Sequence, residues 1–452
     1  MTLPISQKIE ELARALLPQK LYVVGGFVRN FLIDKTVSVD VDLCAPISVK
    51  DLQTQVEKLG FRICAQYPRT QTLVFEVNGV KYEYTAFRSE TYNRGGNHQP
   101  QTVSFTCDIV EDALRRDFKC NAVYYDIVNK AIVDPLGGVL DIQNKVLDTV
   151  KSSKEVFSHD GLRLMRLARF CGELGFTPTK QVLESALLYA DNVKEIAPER
   201  IYKELKYILS ADSKYPFSPK KGHYLALKIL DETRVLDRIL PELTAGRTLP
   251  QRSDFHKYDV LEHSLRSVLY ADKSVRLCAL LHDIGKPFAM QKDGKYHLHY
   301  SYGESIAIDV LNRLRAEKSV IDEVAFMVKN HMLDIKSDMR DSKIKLFIVK
   351  NLKYYEKLLK VKQADYSACK DDLSVCPTVE KWQKLYLEMK KNGVPFSIKD
   401  LHISAKELIE SGFLGVEVGK TLKFLLEICV LNPEFNQKQK LLQLALQNKN
   451  KG

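Results

Sequence analysis

The sequence has little of what marks an exported or membrane-embedded protein. None of its apolar runs approaches the about 18 residues that cross a bilayer. The first residues, MTLPISQKIEELARALLP, lack an apolar core followed by a small-residue cleavage site, so they predict an amphipathic helix and no export signal. The nine cysteines are scattered without CxxC pairs, which argues against a disulfide framework and a zinc ribbon. We therefore expect a cytoplasmic protein that does not enter a membrane.

Repeats are also missing, and charge of one sign is in excess. No period of about 20 to 50 residues recurs, which excludes solenoid and propeller architectures. A chain of 452 residues exceeds the about 250 that one hydrophobic core supports, so several domains are expected. The net charge of +11 favours a polyanionic partner such as a nucleic acid, although a solvated basic surface also fits it.

The pattern of apolar residues changes along the chain. Between about 21 and 135, β-branched and aromatic runs such as TLVFEV and VKYEYTAF alternate with helical stretches, which predicts an α+β region with a mixed sheet. From about 155 onward the apolar spacing is helical only. Pro, Gly and Thr cluster at 241–256, and a weaker boundary lies at 371–380. These signals predict four parts: 1–150, 151–245, 250–370 and 371–452.

Two aspartates lie one residue apart in SVDVDLC, shortly after a pair of glycines. In a strand, the alternation places Asp40 and Asp42 on one face and their apolar neighbours on the other. Two adjacent carboxylates repel unless a cation lies between them, and Mg²⁺ prefers carboxylate and phosphate oxygens. Glu83, in another alternating run, is a candidate third carboxylate on the same sheet face. The alternative is an ordinary edge strand that happens to carry two aspartates.

The residues before the aspartates suit a triphosphate. Gly25 and Gly26 have no Cβ, so backbone N–H groups can approach phosphate oxygens there, and Arg29 follows one helical turn later. Two Mg²⁺ ions at the aspartates would lower the negative charge on an attacking hydroxyl and on a leaving pyrophosphate. The alternative is a glycine turn with no ligand.

Six ordered motifs extend this pattern: GGFVRN, DVD, RRDFKCNA, DPLGG, HDGLRLMRLARF and ERI. Together they resemble the GGxVRD, DxD, RRDFTINA, DPxGG, EDxxRxxRxxRF and ERI motifs of class II tRNA nucleotidyltransferases, the family of CCA-adding enzymes and bacterial poly(A) polymerases. The resemblance covers residues 20–370 approximately. It implies a polymerase-β-like nucleotidyltransferase head with a mixed sheet, followed by a helical neck.

The resemblance also implies a role for each matching residue. Asp40 and Asp42 would hold Mg²⁺, Asp160 and Arg163 would read the incoming base, and Glu199 with Arg200 would support them. The other residues expected at the nucleotide pocket are Arg115, Arg116, Asp117, Asn121, Arg166 and Arg169.

The chain departs from the family motifs at three places. Asn30 stands where the family has Asp, Lys119 and Cys120 replace Thr-Ile, and His159 replaces the Glu of EDxxR. None of these changes removes an expected metal ligand or base-reading residue, so we expect the protein to be active. Any effect of the three changes is expected on the preference between nucleotides.

Base reading by Asp160 and Arg163 has a physical basis. On a helix, residues at i and i+3 share a face, which would bring the two side chains together. A carboxylate accepts from the exocyclic amine of cytosine or adenine, and a guanidinium donates to the neighbouring ring acceptor. The alternative is a surface ion pair.

A second constellation lies downstream. Adjacent His282 and Asp283, followed by IGK, resemble the HD phosphohydrolase domain that some bacterial CCA-adding enzymes carry at this place. By that pattern a first ion would be bound by His263, His282, Asp283 and Asp365, and a second ion or a substrate phosphate by His299 and His331. Imidazole with carboxylate suits Mn²⁺, Ni²⁺ or Zn²⁺. An HD domain retained only for packing is the alternative.

The resemblance therefore implies an enzyme that adds CMP and AMP from CTP and ATP to the 3′ end of tRNA, with phosphohydrolase activity in the HD domain. Three readings stay open: full CCA addition, poly(A) or A-only addition, and an inert tRNA-binding protein. The intact aspartate pair speaks against the last. The segment RSETYNRGGNHQP at 88–100 is interpreted as a flexible loop, which favours a capacity to add the terminal A.

Overall fold

The computed structural model describes residues 2–36, 41–92, 95–97 and 100–449. Asp40, one of the two expected Mg²⁺ ligands, lies outside the described residues. The chain divides into two compact units, Met1–Thr244 with Val310–Ala316 and Ala245–Asp309 with Glu317–Gly452. The division falls inside the Pro/Gly/Thr segment at 241–256, whereas nothing in the sequence pattern indicates that 310–316 belong to the first unit.

The strands all lie in the first unit. They are β1 (Tyr22–Val24), β2 (Val41–Ala45), β3 (Arg62–Tyr67), β4 (Thr72–Val77), β5 (Val80–Ala86), β6 (Arg88–Thr91), β7 (Thr102–Phe105), β8 (Tyr124–Asp126), β9 (Ala131–Val133), β10 (Val146–Leu147) and β11 (Thr177–Pro178), as far as the described residues extend. Seven form one sheet in the order β3-β4-β5-β2-β1-β8-β9, and β6 pairs with β7 and β10 with β11. Only β2 and β5 run parallel within the large sheet, and its other described pairs are antiparallel. The predicted mixed sheet is therefore confirmed.

The α-helices of the first unit lie before, between and after these strands along the chain. They are α1 (Gln7–Ala15), α2 (Gly26–Asp34), α3 (Val49–Lys58), α4 (Ile109–Leu114), α5 (Gly138–Asn144), α6 (Ser153–His159), α7 (Leu162–Leu174), α8 (Lys180–Leu188), α9 (Pro198–Ile208), α10 (Gly222–Glu232), α11 (Leu236–Ile239) and α12 (Pro241–Thr244). The longest of these, α7, is buried along most of its length. Beyond residue 155 the chain is predicted to be mostly helical, and β11, a Thr-Pro pair too short to carry a period, is the exception among the described residues.

The second unit consists of helices and the loops that connect them, and its described residues include no strand. Its helices are α13 (Val260–Tyr270), α14 (Arg276–Leu281), α15 (Lys286–Asp293), α16 (His299–Arg313), α17 (Lys318–Asn330), α18 (Asp341–Lys350), α19 (Leu352–Lys370), α20 (Pro377–Lys391), α21 (Ala405–Glu410), α22 (Val416–Leu431) and α23 (Lys438–Lys449). The boundary between the units falls within α16. Leu408, Leu425 and Leu441 belong to a small apolar core of the last three helices. Among the described residues, no helix has the length and apolar character needed to cross a membrane.

Candidate functional site

The glycine pair turns the chain directly beside Asp42. Val24, the last residue of β1, is paired with Asp42 in β2. Gly25 follows with φ of +77°, and a Cβ at this position would lie 3.1 Å from Asp42 Oδ2. Any larger residue would therefore be strained and would crowd the carboxylate. Helix α2 begins at Gly26, so its N-terminal N–H groups start next to Asp42, where they favour an anion such as a phosphate.

Glu83 lies beside Asp42 on the neighbouring strand. The parallel pairing of β2 with β5 places Asp42 opposite Glu83, so both side chains leave the sheet on the same face. Both positions are exposed in their strands, whereas Leu43 and Tyr84, the next pair along, are buried. The sheet therefore presents two carboxylates side by side in a polar position.

A cavity of about 580 Å³ opens next to Asp42. It is lined by every residue that the motifs predict for nucleotide binding: Gly25, Gly26, Arg29, Arg115, Arg116, Asp117, Asn121, Asp160, Arg163, Arg166 and Arg169. Arg200 lines it as well. Glu199, which was expected to act with Arg200, forms an ion pair with Arg315 and is not among the lining residues. With Arg88, eight arginines thus line one cavity, which suits a polyanionic ligand.

Arg29 is buried at the floor of this cavity. Its guanidinium donates to Asn30 Oδ1 from Nη2 at 2.9 Å, to Tyr215 Oη at 3.2 Å, and to Asn121 Oδ1. The family motif has Asp where this chain has Asn30. The amide keeps the hydrogen bond but not the negative charge, so this neighbour leaves the charge of Arg29 for a ligand.

Asp117 organises the wall of the cavity. Its Oδ1 accepts from Asn121 Nδ2 at 2.9 Å and from the Phe118 amide at 2.8 Å, and its Oδ2 accepts from Arg166 Nε at 2.7 Å. Burial would raise the pKa of Asp117, but the Arg166 charge and these hydrogen bonds outweigh it and hold that pKa well below its ordinary value. The carboxylate therefore fixes Asn121 and Arg166 in place as an ionised acceptor.

Asp112 is a site residue that the motif analysis missed. It is fully buried and accepts from Arg115 Nε at 2.7 Å, from Arg116 Nη2 at 3.0 Å and from Tyr124 Oη at 2.7 Å. Burial raises its pKa, but the two arginines and the tyrosine lower it to about 2. The sequence did contain a signal for this contact: Asp112 precedes Arg115 by three positions and Arg116 by four, and side chains at these spacings meet on a helix.

The structure corrects the local conformation of the base-reading pair. Asp160 is not on a helix with Arg163: it ends α6 in an extended conformation, and its Oδ1 accepts from the Leu162 amide at 2.9 Å at the start of α7. The helix breaks at Gly161, where a Cβ would lie 2.1 Å from the Asn192 carbonyl oxygen. The two side chains still meet, with Arg163 Nε 3.5 Å from Asp160 Oδ2. Both are buried, so a surface ion pair does not describe them.

The described part of the segment 88–100 is held against this break. The Gly95 amide donates to the Ser158 carbonyl at 3.2 Å, and the Gly161 amide donates to the Gly96 carbonyl at 3.0 Å. The interpretation of 88–100 as a flexible loop therefore needs correction for its described residues, since 88–91 form β6, paired with β7, and the 95–97 stretch is hydrogen-bonded to residues 158–161. The glycines allow this close backbone approach.

The second unit contains a separate cluster, called here the HD cluster. It comprises the six residues expected from the sequence: His263, His282, Asp283, His299, His331 and Asp365. Asp283 lies at its centre. Its Oδ2 is 3.2 Å from His282 Nε2 and 3.4 Å from His263 Nε2, and its Oδ1 is 3.2 Å from His299 Nε2 and 3.4 Å from His331 Nε2. Asp365 Oδ1 lies 3.0 Å from His263 Nε2.

Backbone carbonyls orient three imidazoles of the HD cluster through their Nδ1 atoms. The Nδ1 atoms of His282, His299 and His331 lie 2.7, 2.8 and 2.7 Å from the backbone carbonyls of Ala279, Tyr296 and Val328. An Nδ1–H that donates to a carbonyl leaves Nε2 with a lone pair, which is the tautomer that binds metal. Each of these Nε2 atoms faces Asp283.

The buried carboxylate of Asp283 is surrounded by side-chain nitrogens. Four imidazole nitrogens lie within 3.4 Å of its two oxygens. Lys286 Nζ lies 2.6 Å from Oδ2 and is itself buried. Burial lowers the pKa of His282, but Asp283 and Asp365 outweigh it and raise that pKa to about 10, so a bound cation would take the place of a ring proton there; burial lowers the pKa of His331 to about 4. The converging imidazole nitrogens and the buried carboxylate fit divalent ions on either side of Asp283.

Comparison with known proteins shows the family of the chain. Three family models match: "Poly A polymerase head domain" at residues 21–148, "Probable RNA and SrmB- binding site of polymerase A" at 175–246, and "HD domain" at 260–365. The multifunctional CCA protein of Shewanella frigidimarina is 30% identical over 322 residues, which are 67% of this chain and 70% of that protein. The chain belongs to the family of CCA-adding tRNA nucleotidyltransferases.

Other relatives agree with this assignment. The A-adding tRNA nucleotidyltransferase of Deinococcus radiodurans is 30% identical over 65% of this chain and 68% of that protein. The CCA-adding enzyme of Bacillus stearothermophilus, solved in complex with CTP, shares the fold with a TM-score of 0.67 at 21% identity, over 98% of both chains. The predicted tRNA nucleotidyltransferase family and α+β fold are thus confirmed. Both the nucleotidyltransferase and the HD families are metal-dependent.

Proposed function

We propose that this protein adds CMP and AMP, taken from CTP and ATP, to the 3′ end of tRNA. The observation that carries the proposal is the single cavity that brings the Gly25 turn, Asp42 and the arginines of the RRDF and RLARF motifs together. A glycine turn with a helix N-terminus suits a triphosphate, and an adjacent carboxylate suits the ion that accompanies it. Relatives named for CCA addition and for A addition support the same class of reaction.

Asp40, Asp42 and Glu83 are the residues that we assign to Mg²⁺. The bound ions would lower the negative charge on the attacking 3′ hydroxyl and on the leaving pyrophosphate. The register of Asp42 with Glu83 supports this assignment, because two carboxylates side by side repel without a cation between them. Gly25 and Gly26 offer backbone N–H groups to the triphosphate, and Arg29 adds a positive charge that Asn30 does not neutralise.

The walls of the cavity orient the nucleotide. The Asp117 carboxylate accepts a hydrogen bond from Asn121 and fixes its amide. The Asp112 carboxylate accepts hydrogen bonds from Arg115 and Arg116 and fixes their guanidinium groups. Beside them, we assign Asp160 and Arg163 to the Watson–Crick edge of the incoming base. A carboxylate and a guanidinium in one cavity complement the amine and the ring acceptor that cytosine and adenine share.

The remaining parts of the chain are assigned to RNA and to a second reaction. We assign 1–150 to the nucleotidyltransferase head, 151–245 to a tRNA-binding neck, 250–370 to the HD domain and 371–452 to a helical tail, in a cytoplasmic protein. The basic balance of the chain suits the tRNA backbone.

The HD cluster is assigned to a two-ion centre that hydrolyses phosphoesters such as 2′,3′-cyclic phosphates. Asp283 contacts two imidazoles through each oxygen, so this carboxylate would be a ligand for both ions. Mn²⁺, Ni²⁺ or Zn²⁺ fits these ligands and would acidify a bound water. The buried Lys286 ammonium beside Asp283 is placed to meet a substrate phosphate.

Incubation with tRNA lacking CCA and with single or paired nucleotides tests the main assignment. Wild type should incorporate CTP alone and then ATP, and Asp42→Asn should lose incorporation while keeping tRNA binding. Asp34→Asn, an exposed aspartate on α2, is the matched control and should keep full activity. Full-rate incorporation of CTP by Asp42→Asn or by Asp40→Asn would overturn the assignment.

A second candidate function is A-only addition. The observation that favours it is the A-adding relative of Deinococcus radiodurans, which is 30% identical to this chain, as is the multifunctional CCA protein of Shewanella frigidimarina. On tRNA lacking the whole of CCA, an A-only enzyme incorporates no CTP, but it extends tRNA that already ends in CC. The same set of incubations separates the two functions.

A further inference from the structure

One group of potential metal ligands lies beside the HD cluster and is not used by it. It consists of His256, His263 and Cys369, whose ligand atoms all lie within 4.8 Å of one another. Only His263 is shared with the HD cluster. The other two were not singled out as ligands, because neither stands in a motif.

Tertiary contacts bring the three residues together. His263 on α13 contacts Asp365 on α19, and Cys369 follows Asp365 by one helical turn on the same face. The backbone amide of Lys257 donates to the Cys369 carbonyl at 2.9 Å, which fixes the segment that contains His256. The His256 and His263 rings meet edge to face with centroids 4.8 Å apart.

Two ring nitrogens of this group are buried without a partner, whereas the Cys369 thiol donates to the Asp365 carbonyl at 3.3 Å. His256 Nδ1 and His263 Nδ1 have no hydrogen-bond partner among the described residues. His263 is fully buried, and its Nε2 already faces His282 and Asp365. The other three imidazoles of the HD cluster have Nδ1 at a backbone carbonyl. A buried nitrogen without a partner costs free energy unless a ligand occupies it, so His263 Nδ1 indicates a ligand on its second side.

We propose that His256, His263 and Cys369 form a site for a thiophilic divalent ion, with Zn²⁺ as the expected occupant. Two imidazoles and one thiolate make three ligands of the softness that Zn²⁺ prefers, and a water or an external ligand completes four-coordination. On binding, the Cys369 thiol would give its proton to solvent as its sulfur bonds the ion, and His263, whose Nε2 faces the HD cluster, would give up its ring proton to solvent so that Nδ1 also offers a lone pair. The HD cluster contains only nitrogen and oxygen donors, so sulfur distinguishes the two sites.

Cobalt titration of the metal-stripped, full-length protein tests this site. Co²⁺ bound by a thiolate gives an intense sulfur-to-cobalt charge-transfer band in the near ultraviolet, whereas Co²⁺ bound by imidazole and carboxylate gives only weak visible bands. We expect the charge-transfer band in wild type and its loss in Cys369→Ser and in His256→Ala. Zn²⁺ added afterwards should displace Co²⁺ and remove the band.

Two variants separate this site from the HD centre and from chance thiol binding. Asp283→Asn should weaken the visible bands of the HD centre and keep the charge-transfer band. Cys64→Ser with Cys107→Ser removes two exposed thiols and should also keep it. A wild-type spectrum with the visible bands alone would overturn the thiolate site and leave the HD centre standing.

A measurement on wild type protects the test against misfolded variants. Cys369 is partly exposed, so a maleimide should label it slowly, and Zn²⁺ should slow the labelling further. Cys64 provides the internal reference within the same sample, since its labelling should not respond to Zn²⁺. Equal labelling of Cys369 with and without Zn²⁺, read by mass spectrometry, would contradict the proposal.

Discussion

The ring of Tyr92 stacks on the imidazole of His159, with centroids 5.5 Å apart and 12° between the ring planes. The guanidinium carbon of Arg163 lies 5.8 Å from the centroid of the same tyrosine ring. His159 stands where the family motif has Glu. In this chain an aromatic stack therefore supports Arg163 at a place where the family has an acidic side chain.

Removal of the Tyr92 ring should loosen Arg163 and weaken base discrimination. A cation–π contact contributes about 0.5 to 2 kcal/mol, so Tyr92→Ala should lower the preference for CTP over UTP by roughly twofold to thirtyfold. The measurement is the ratio of kcat/KM for the two nucleotides on tRNA lacking CCA. Tyr92→Phe keeps the ring and loses only the hydroxyl, so it should retain the wild-type ratio. Equal ratios in both variants and in wild type would show that the ring does not act on Arg163.

Arg163→Ala should have a larger effect on the same ratio. The guanidinium lies 3.5 Å from Asp160 Oδ2 and donates to the Arg115 carbonyl from Nη2 at 2.7 Å, so its direction is fixed. Loss of its contacts to a base edge should cost about 1 to 3 kcal/mol, which narrows the CTP preference roughly tenfold to a hundredfold. Arg238→Ala, which breaks an exposed ion pair with Asp191, is the control and should leave the ratio unchanged. If Arg163→Ala keeps the wild-type ratio, base choice lies elsewhere.

Strand alternation and motif order predicted most of the head. The runs LYVV, VDVDLC, TLVFEV, VKYEYTAF and AVYYDIV all contain strands of the large sheet, as their β-branched and aromatic residues predict. Strand β3 was missed because RICAQY is exposed or half-buried at every position, which leaves no apolar period. The shortest strands, β10 and β11, have two residues each, which are too few for a pattern.

The site residues that lie within one motif were predictable from the sequence. The local conformations and contacts that depend on residues distant in sequence were not. The helix break at Gly161 depends on the close approach of Asn192, which is distant in sequence. Helical spacing alone therefore placed Asp160 and Arg163 on one helix. Likewise, His256 and Cys369 stand more than a hundred residues apart, and only the packing of α13 on α19 brings them to His263.

Asp112 should stabilise the protein only above acidic pH. Its pKa in the folded protein is lowered to about 2 from an ordinary value of 3.8, so its contribution is present above pH 4 and is lost as the pH falls towards 2. A shift of this size corresponds to about 2 kcal/mol. Asp112→Asn should therefore unfold at lower temperature than wild type at pH 7, with the difference shrinking between pH 4 and 2. Thermal unfolding followed by circular dichroism measures this, and a constant difference would contradict it.

Asp283 should control the binding of both ions of the HD cluster, and His331 of only one. Each Asp283 oxygen faces a different pair of imidazoles, whereas His331 contacts Oδ1 alone. Asp283→Asn should thus reduce the Mn²⁺ content of the reconstituted protein by about two ions per chain, and His331→Ala by about one. Elemental analysis after dialysis gives the counts. Equal losses in the two variants would mean that Asp283 does not join two ions.

Loss of the HD cluster should separate the two activities of the protein. His282→Ala combined with Asp283→Ala removes two ligands in the second compact unit, while the nucleotide cavity lies in the first. We expect metal-dependent hydrolysis of a 2′,3′-cyclic phosphate to be abolished and CCA addition to stay at the wild-type rate. His297→Ala with Asp293→Ala, an exposed His and Asp pair in the same unit, should preserve both activities.

Because Trp382 is the single tryptophan and is buried in the second unit, its fluorescence reports whether that unit is still folded in each variant. Loss of CCA addition in a variant with native Trp382 fluorescence would show that the two activities depend on one another, and persistent hydrolysis would place the phosphohydrolase site elsewhere.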